Sequence, residues 1–374
     1  MSLSGLLPLL YDLPGYRELA RAVASGETSW SEAPLDPARP YLLAALHADV
    51  TSPQGRPVIV VASRPDRARQ LYEGLVAYVQ PGTQTLLFPA PDLLPYERIA
   101  PDPTIVGERL RVLATVQAAD PSASAPVIVT SVLALMQPTM APGDLRHAVR
   151  VLRRGDRADL NELLSHLVDL GYESSAMVEE PGQFSKRGGI VDFYPPTSTL
   201  PIRIEFFGDE IDSVRLFNPL TQRSEGQANG LVVTPSCEMP LWRREEAAET
   251  LREIDTENLR EEVLEEWQHQ MRMTEAGECF EGMELFAPYY TQPLASLADY
   301  LAAWKGDGTK NAPLLVLDDP DLIRLEAQEI ERQAADLYRG FIDNGELPPG
   351  LRAPYLKWDE VSSHAQGLPV LYAG

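Results

Sequence analysis

Pro57–Ala62 (PVIVVA), Gln84–Phe88 (QTLLF) and Pro126–Ser131 (PVIVTS) decide the fold class. Each is a short, uninterrupted apolar run, the pattern of a strand buried on both faces. Between the first two, Asp66–Val79 places Leu71, Leu75 and Val79 at helical spacing. Between the second and third, Ile105–Gln117 does the same with Leu110, Leu113 and Val116. Strand, helix, strand in this rhythm predicts a parallel sheet with helices on its faces over residues 1–143. Pro313–Asp318 (PLLVLD) returns to the same strand type and precedes a helical stretch, Asp321–Tyr338. Residues 237–345 are therefore expected to complete the first sheet, which makes the fold class α/β: a split parallel-sheet lobe.

What lies between has another texture. Residues 144–157 (DLRHAVRVLRRGDR) are locally basic, and Leu160–Leu170 reads as a short amphipathic helix closed by Gly171. Alternating strands follow at Gly189–Tyr194, Ile202–Phe207 and Ile211–Phe217, with Gly208-Asp209 as a two-residue hairpin turn. Residues 144–236 read as an inserted small α+β domain. Trp242–Arg272 is helical and acidic; Arg243–Glu284 carries fourteen Asp/Glu against five Arg, the composition of a solvated helix face. Residues 346–374 hold Pro348-Pro349, Gly350 and Pro354 and are expected to be a linker. The ending LPVLYAG, in mid-pattern, suggests a fragment of a longer chain.

The 374 residues carry a net charge of −23, which disfavours broad contact with phosphate backbones. A local basic patch, Arg146–Arg157 together with Lys186-Arg187, keeps direct DNA binding as an alternative. The two cysteines, Cys237 and Cys279, are far apart in the chain and read as idle thiols of a reducing compartment. The five histidines are scattered singly, so no metal or other cofactor is expected. Without a charged leader or a long apolar run, the protein is expected to be cytoplasmic.

An α/β lobe invites a search for a phosphate loop, which needs glycines, a lysine and a Ser/Thr in order. The sequence has no G-K-[ST], and its first lysine is Lys186, outside the lobe. Trp304–Lys310 (WKGDGTK) has the letters in the wrong order and is expected to be a loop. Leu314–Asp319 (LLVLDD) places an acidic pair where a magnesium-binding acid would sit; these carboxylates are expected to cap the following helix. No catalytic residue is assigned.

The informative stretch is Ile202–Phe207 (IRIEFF). Alternation puts Ile202, Ile204 and Phe206 on one face and Arg203, Glu205 and Phe207 on the other, which should be wet. Either Phe207 is covered by a neighbouring element, or it forms an aromatic–arginine pair at a protein interface. Nearby, Gly182–Gly189 (GQFSKRGG) combines Lys186 and Arg187 with glycines and reads as a recognition loop.

Pro181–Pro195 (PGQFSKRGGIVDFYP) with Arg203–Phe217 (RIEFFGDEIDSVRLF) and Gln222–Ser224 resembles a motif shared by the excision-repair helicase UvrB and the bacterial transcription-repair coupling factor. Leu94–Leu113, Val127–Leu135 and Glu278–Tyr290 (ECFEGMELFAPYY) extend the likeness over about residues 55–340. UvrB would carry an intact phosphate loop, so a UvrB-like ATPase stays only as an alternative. The resemblance to the coupling factor implies a helicase-like lobe with a degenerate phosphate loop and an inserted docking domain. It implies a non-catalytic adaptor that binds UvrA, the damage-recognition ATPase, through Arg187, Arg203 and Phe207. It further implies that contacts with RNA polymerase and double-stranded DNA, and a domain that masks the docking surface, belong to regions beyond Gly374.

Overall fold

The computed structural model describes residues 2–31, 36–91, 93–118, 125–302 and 312–374; the Trp304–Lys310 stretch lies outside them. Along the chain the first four strands are β1 (Ser29–Ser31), β2 (Val58–Ala62), β3 (Thr85–Phe88) and β4 (Val127–Ser131). The inserted region supplies β5 (Arg150–Arg153), β6 (Glu173–Ser174), β7 (Gln183–Arg187) and β8 (Ile190–Phe193). It continues with β9 (Ile202–Phe207), β10 (Glu210–Phe217), β11 (Ser224–Gln227) and β12 (Gly230–Val233). The chain then returns with β13 (Leu314–Asp318) and β14 (Val370–Ala373).

The first sheet has the order β1-β14-β13-β2-β4-β3, and every pairing in it is parallel. Its central strands are apolar on both faces because both faces are covered. Val58, Val60, Val129 and Val316 pack with Leu71 and Leu75 of helix Pro65–Tyr78 in one core cluster. Ile59, Val61 and Ile128 join Val112, Leu113 and Val116 of helix Pro103–Ala118 in another. Helix Pro320–Asp343 adds Ile323, Ala327 and Ile330 to that second cluster. The split α/β lobe expected from the apolar runs is the observed architecture.

The second sheet runs β11-β10-β9-β8-β7-β6 and is antiparallel except for β6 beside β7. Strands β5 and β12 pair separately. Helix Leu160–Asp169 starts where Asp159 accepts hydrogen bonds from the Asn161 and Glu162 amides. It buries Leu163 and Leu167 in the same cluster as Phe184, Phe193, Ile202 and Ile204. The small domain and one side of the lobe thus share a core. Contact between them is close at Gly107, where a Cβ would overlap the Pro196 carbonyl oxygen.

Two expectations need correction. Residues 346–374 are not a linker here. Leu347, Leu351, Tyr355, Leu356 and Val361 are buried in the core, and β14 enters the first sheet between β1 and β13. The prolines and Gly350 shape turns, but the apolar residues around them set where the segment goes.

Second, Asp318 and Asp319 do not share the capping role. Asp319 caps helix Pro320–Asp343, accepting from the Leu322 amide at 3.1 Å. Asp318 is buried and ion-paired: Arg39 Nη1 lies 2.5 Å from Oδ1 and Arg67 Nε 2.7 Å from Oδ2. Arg67 Nη2 adds a contact of 3.3 Å to Oδ1. The hydrogen bond to Asp318 pushes the Arg67 pKa further above its ordinary value. Two guanidiniums therefore occupy the carboxylate that a magnesium ion would need.

Removing the Asp318 carboxylate leaves both arginines with the exposed Asp36, 3.4 Å from each, in place of their buried partner. Asp318→Ala should destabilise the chain by about 3–5 kcal/mol, read as a lower urea midpoint. Arg67→Ala should cost less, because Arg39 still pairs. An unchanged midpoint for Asp318→Ala would show that this ion cluster does not hold the lobe.

Candidate functional site

Strands β7 to β10 bring the three sequence-selected residues onto one face. Across the sheet Arg187 opposes Ile190, Ile190 opposes Glu205, and Asp192 opposes Arg203. Directly opposed residues point to the same side, and so do residues two apart along a strand. Arg187, Asp192, Arg203, Glu205 and Phe207 therefore share a face. Ile202 and Ile204 point the other way into the core, and Phe206 packs against it.

Two hairpin turns shape one end of this face. Arg187 pairs with Ile190 around Gly188-Gly189, and Phe207 pairs with Glu210 around Gly208-Asp209. Gly188 and Gly208 have φ of 61° and 64°, in the left-handed region that a two-residue turn requires. Gln183–Arg187 is thus a strand entering a tight turn, not the recognition loop expected from its glycines. The strand also sends Lys186 and Arg187 to opposite faces. Lys186 Nζ lies 3.4 Å from Asn161 Oδ1, while Arg187 Nη2 donates to the Ala176 carbonyl at 3.0 Å. The two cations do not form a joint patch.

Phe207 is 84% exposed, which answers whether a neighbouring element covers it. Arg203 is different. Its Nε and Nη2 donate to Asp192 Oδ1 and Oδ2 at 2.7 and 2.8 Å, a bidentate pair. Its guanidinium also stands 4.7 Å over the buried Phe217 ring. The hydrogen bonds to Asp192 raise the Arg203 pKa, and the carboxylate itself is buried.

The face is drier than alternation implied because the segment joining β6 and β7 folds over it. The Ala176 carbonyl accepts from Ser185 Oγ and Arg187, Val178 is fully buried, and the Val178 carbonyl accepts from Gln222 beyond β10. Further along, Glu205 Oε2 accepts from Ser213 Oγ at 2.9 Å and from Arg215 Nη2 at 3.3 Å. Phe207 projects beyond this interlocked polar layer.

Sequence reasoning missed Asp192. Its signal was present as a lone acid in the apolar run IVDF, but only the β8–β9 register pairs it with Arg203. The expected basic stretch 146–157 is also partly committed: Arg150 Nη1 lies 2.9 Å from Glu162 Oε1. Cys237 and Cys279, distant in sequence, both lie half-buried beside Gly171. A hydrogen bond with Cys237, followed by burial, raises the Cys279 thiol pKa. Among the described residues there is no cluster of three or more metal-ligating side chains, and no helix is long and apolar enough to cross a membrane.

Residues 151–239, which contain this whole sheet, match the UvrB interaction domain family. Beyond that match, most of the chain is similar to curated proteins named transcription-repair-coupling factor. It is 26% identical to that of Bacillus subtilis (strain 168) over 85% of this chain and 26% of the relative. The corresponding figures are 31% over 76% and 23% for Myxococcus xanthus. For Escherichia coli (strain K12) they are 26% over 87% and 27%. The chain spans about a quarter of the length of these curated relatives.

The geometry separates two kinds of residue. Phe207→Ala should leave stability within about 0.5 kcal/mol of the parent, as for an exposed side chain. Arg203→Ala should cost about 3–5 kcal/mol, because it leaves the buried Asp192 carboxylate unpaired. The double variant Arg203→Ala, Asp192→Asn should recover part of that loss. Urea denaturation checks all three, and equal midpoints for the two single variants would contradict the assignment.

Proposed function

We propose that this chain is a docking module that recruits UvrA in transcription-coupled nucleotide excision repair. The observation that carries the reading is Phe207, a large aromatic side chain left almost fully exposed at a rigid hairpin tip on the Arg187–Arg203 face. The match of residues 151–239 to the UvrB interaction domain and the names of the relatives support it.

In this reading Phe207 enters an apolar pocket of UvrA and Arg187 donates to an acceptor beside it. Arg203 contributes mainly by holding the sheet surface flat through Asp192 and Phe217. Exposed aromatic and arginine anchors of this type dominate interface energetics. The module itself is non-catalytic, in keeping with a sequence that has no G-K-[ST] and an Asp318 engaged by Arg39 and Arg67. RNA polymerase and double-stranded DNA would be partners of the longer protein, through regions outside this chain.

Calorimetric titration with purified UvrA tests the proposal. Phe207→Ala should weaken binding by roughly 30-fold or more, the effect of losing about 2 kcal/mol. Arg187→Ala should weaken it less, and neither change should move the thermal midpoint. Parent-like affinity in both variants would refute the docking assignment. Arg203→Ala is informative only beside its stability, since loss of fold would also lose binding.

A further inference from the structure

Three separated stretches of the chain meet around one cavity of about 490 Å³. They are the Leu93–Pro103 segment, the turn Glu180–Gln183 of the small domain, and Cys279–Leu285, joined by Ser236–Met239. None of Arg187, Arg203 and Phe207 lines it, so it is distinct from the docking face. Its volume falls in the range that encloses organic ligands, and it sits where the lobe meets the small domain, a common place for such sites.

The lining combines an apolar surface with charge of one sign. Leu94, Tyr96, Met239, Phe280 and Met283 supply the apolar part. Six carboxylates line it: Glu97, Glu173, Glu180, Glu238, Glu281 and Glu284. Among the described residues Arg109 is the one cation in the wall, and it is committed elsewhere. Its Nε pairs with Glu238 Oε2 at 2.7 Å, its Nη1 donates to the Pro89 carbonyl at 2.9 Å, and its guanidinium covers the Phe88 ring at 4.2 Å. Thr139 Oγ1 donates to the other oxygen of Glu238. Glu238 is thereby satisfied by protein partners.

Glu284 differs in that its hydrogen bond comes from its own backbone amide and not from another side chain. Its side chain is exposed at the rim of the cavity, where the surrounding protein and the neighbouring Glu238 push the carboxyl pKa up. Six carboxylates around an apolar cavity, with the one cation in the wall already paired, make a field that favours a positive charge at the rim and an apolar body within.

We propose that this cavity binds a small organic cation: an amidine, guanidine or protonated amine on an apolar body. The charged end meets Glu284, and the body packs against Tyr96, Phe280 and Met283. The cavity is concave and built from two domains, which suits a small molecule better than the surface of a folded partner.

Titration of the whole chain with 4-aminobenzamidine, whose fluorescence rises in apolar surroundings, tests this. Saturable binding is expected at pH 8, with 4-aminobenzamide, the neutral analogue of the same shape, at least tenfold weaker. Glu284→Gln should weaken amidine binding at least tenfold, while Glu265→Gln on an exposed helix face leaves it unchanged. Glu284 binds the cation when ionised, so parent affinity should fall as pH drops from 8 to 6, and Glu284→Gln should lose that dependence. The other titratable and charged groups facing this space are the five remaining carboxylates, Tyr96, Arg109, Cys237 and Cys279, and the difference between parent and variant isolates the share of Glu284. Absence of saturation, equal binding of amide and amidine, or unchanged binding by a folded Glu284→Gln would each overturn the proposal. The amide comparison needs no variant, so the test stands even if Glu284→Gln folds poorly.

Discussion

Strand β2 can pair along both edges only with β4 on one side and β13 on the other, and these partners lie on opposite sides of the insertion. Val60 sits between Val129 and Val316, and all three are fully buried. An unpaired edge there would leave a buried row of amides and carbonyls unsatisfied, a cost no packing would offset. The chain must therefore come back after the small domain, and everything between β4 and β13 is placed by that return. β14 repeats the requirement further along, closing the outer edge of β13.

The same closure explains the carboxyl end of β13. In a nucleotide-hydrolysing lobe an acid at this position faces a metal and a phosphate. Here Asp318 is buried among its neighbours with Arg39 and Arg67 bound to it. A buried carboxylate without compensating charge is costly, and two guanidiniums from other parts of the lobe supply that compensation. They also tie the segment ahead of β2, helix Pro65–Tyr78 and β13 together at one point. An acid that could serve chemistry has become a structural junction.

The sheet core was legible because its strands are buried on both faces and so carry no alternation to misread. β14 is also apolar in Val370–Tyr372, although its burial alternates, but the density of proline and glycine before it spoke for a linker, and local punctuation carries no information about a distant sheet edge. β1 was invisible for the opposite reason: Ser29–Ser31 is short, with two serines, and its parallel pairing with β14, where Trp30 stacks on Tyr372 at 4.2 Å, forms only after folding. Of the candidate site, alternation correctly separated Ile202 and Ile204 from Arg203 and Phe207. It could not supply the register that places Asp192 opposite Arg203, nor the overlying segment that buries Val178. Register and overlay are tertiary facts, and one strand's pattern does not contain them. The cavity shows the same limit, since its walls come from stretches that touch only after folding.

The division between Arg203 and Phe207 has a physical logic of its own. A mobile aromatic side chain loses rotamer freedom when it docks, and a mobile backbone beneath it would lose more. On this face the backbone under Phe207 is fixed by pairing to Glu210, and the strand below it is locked by Arg203 between Asp192 and Phe217. Glu205, Ser213 and Arg215 continue the locked layer. What remains free is the Phe207 ring, with two torsions to restrict. A surface so arranged presents apolar area at small entropic cost, while its arginine is already committed within the fold. Conserving the charge of Arg203 without its bidentate geometry would not preserve the arrangement, because a lysine ammonium cannot span both Asp192 oxygens in the guanidinium plane.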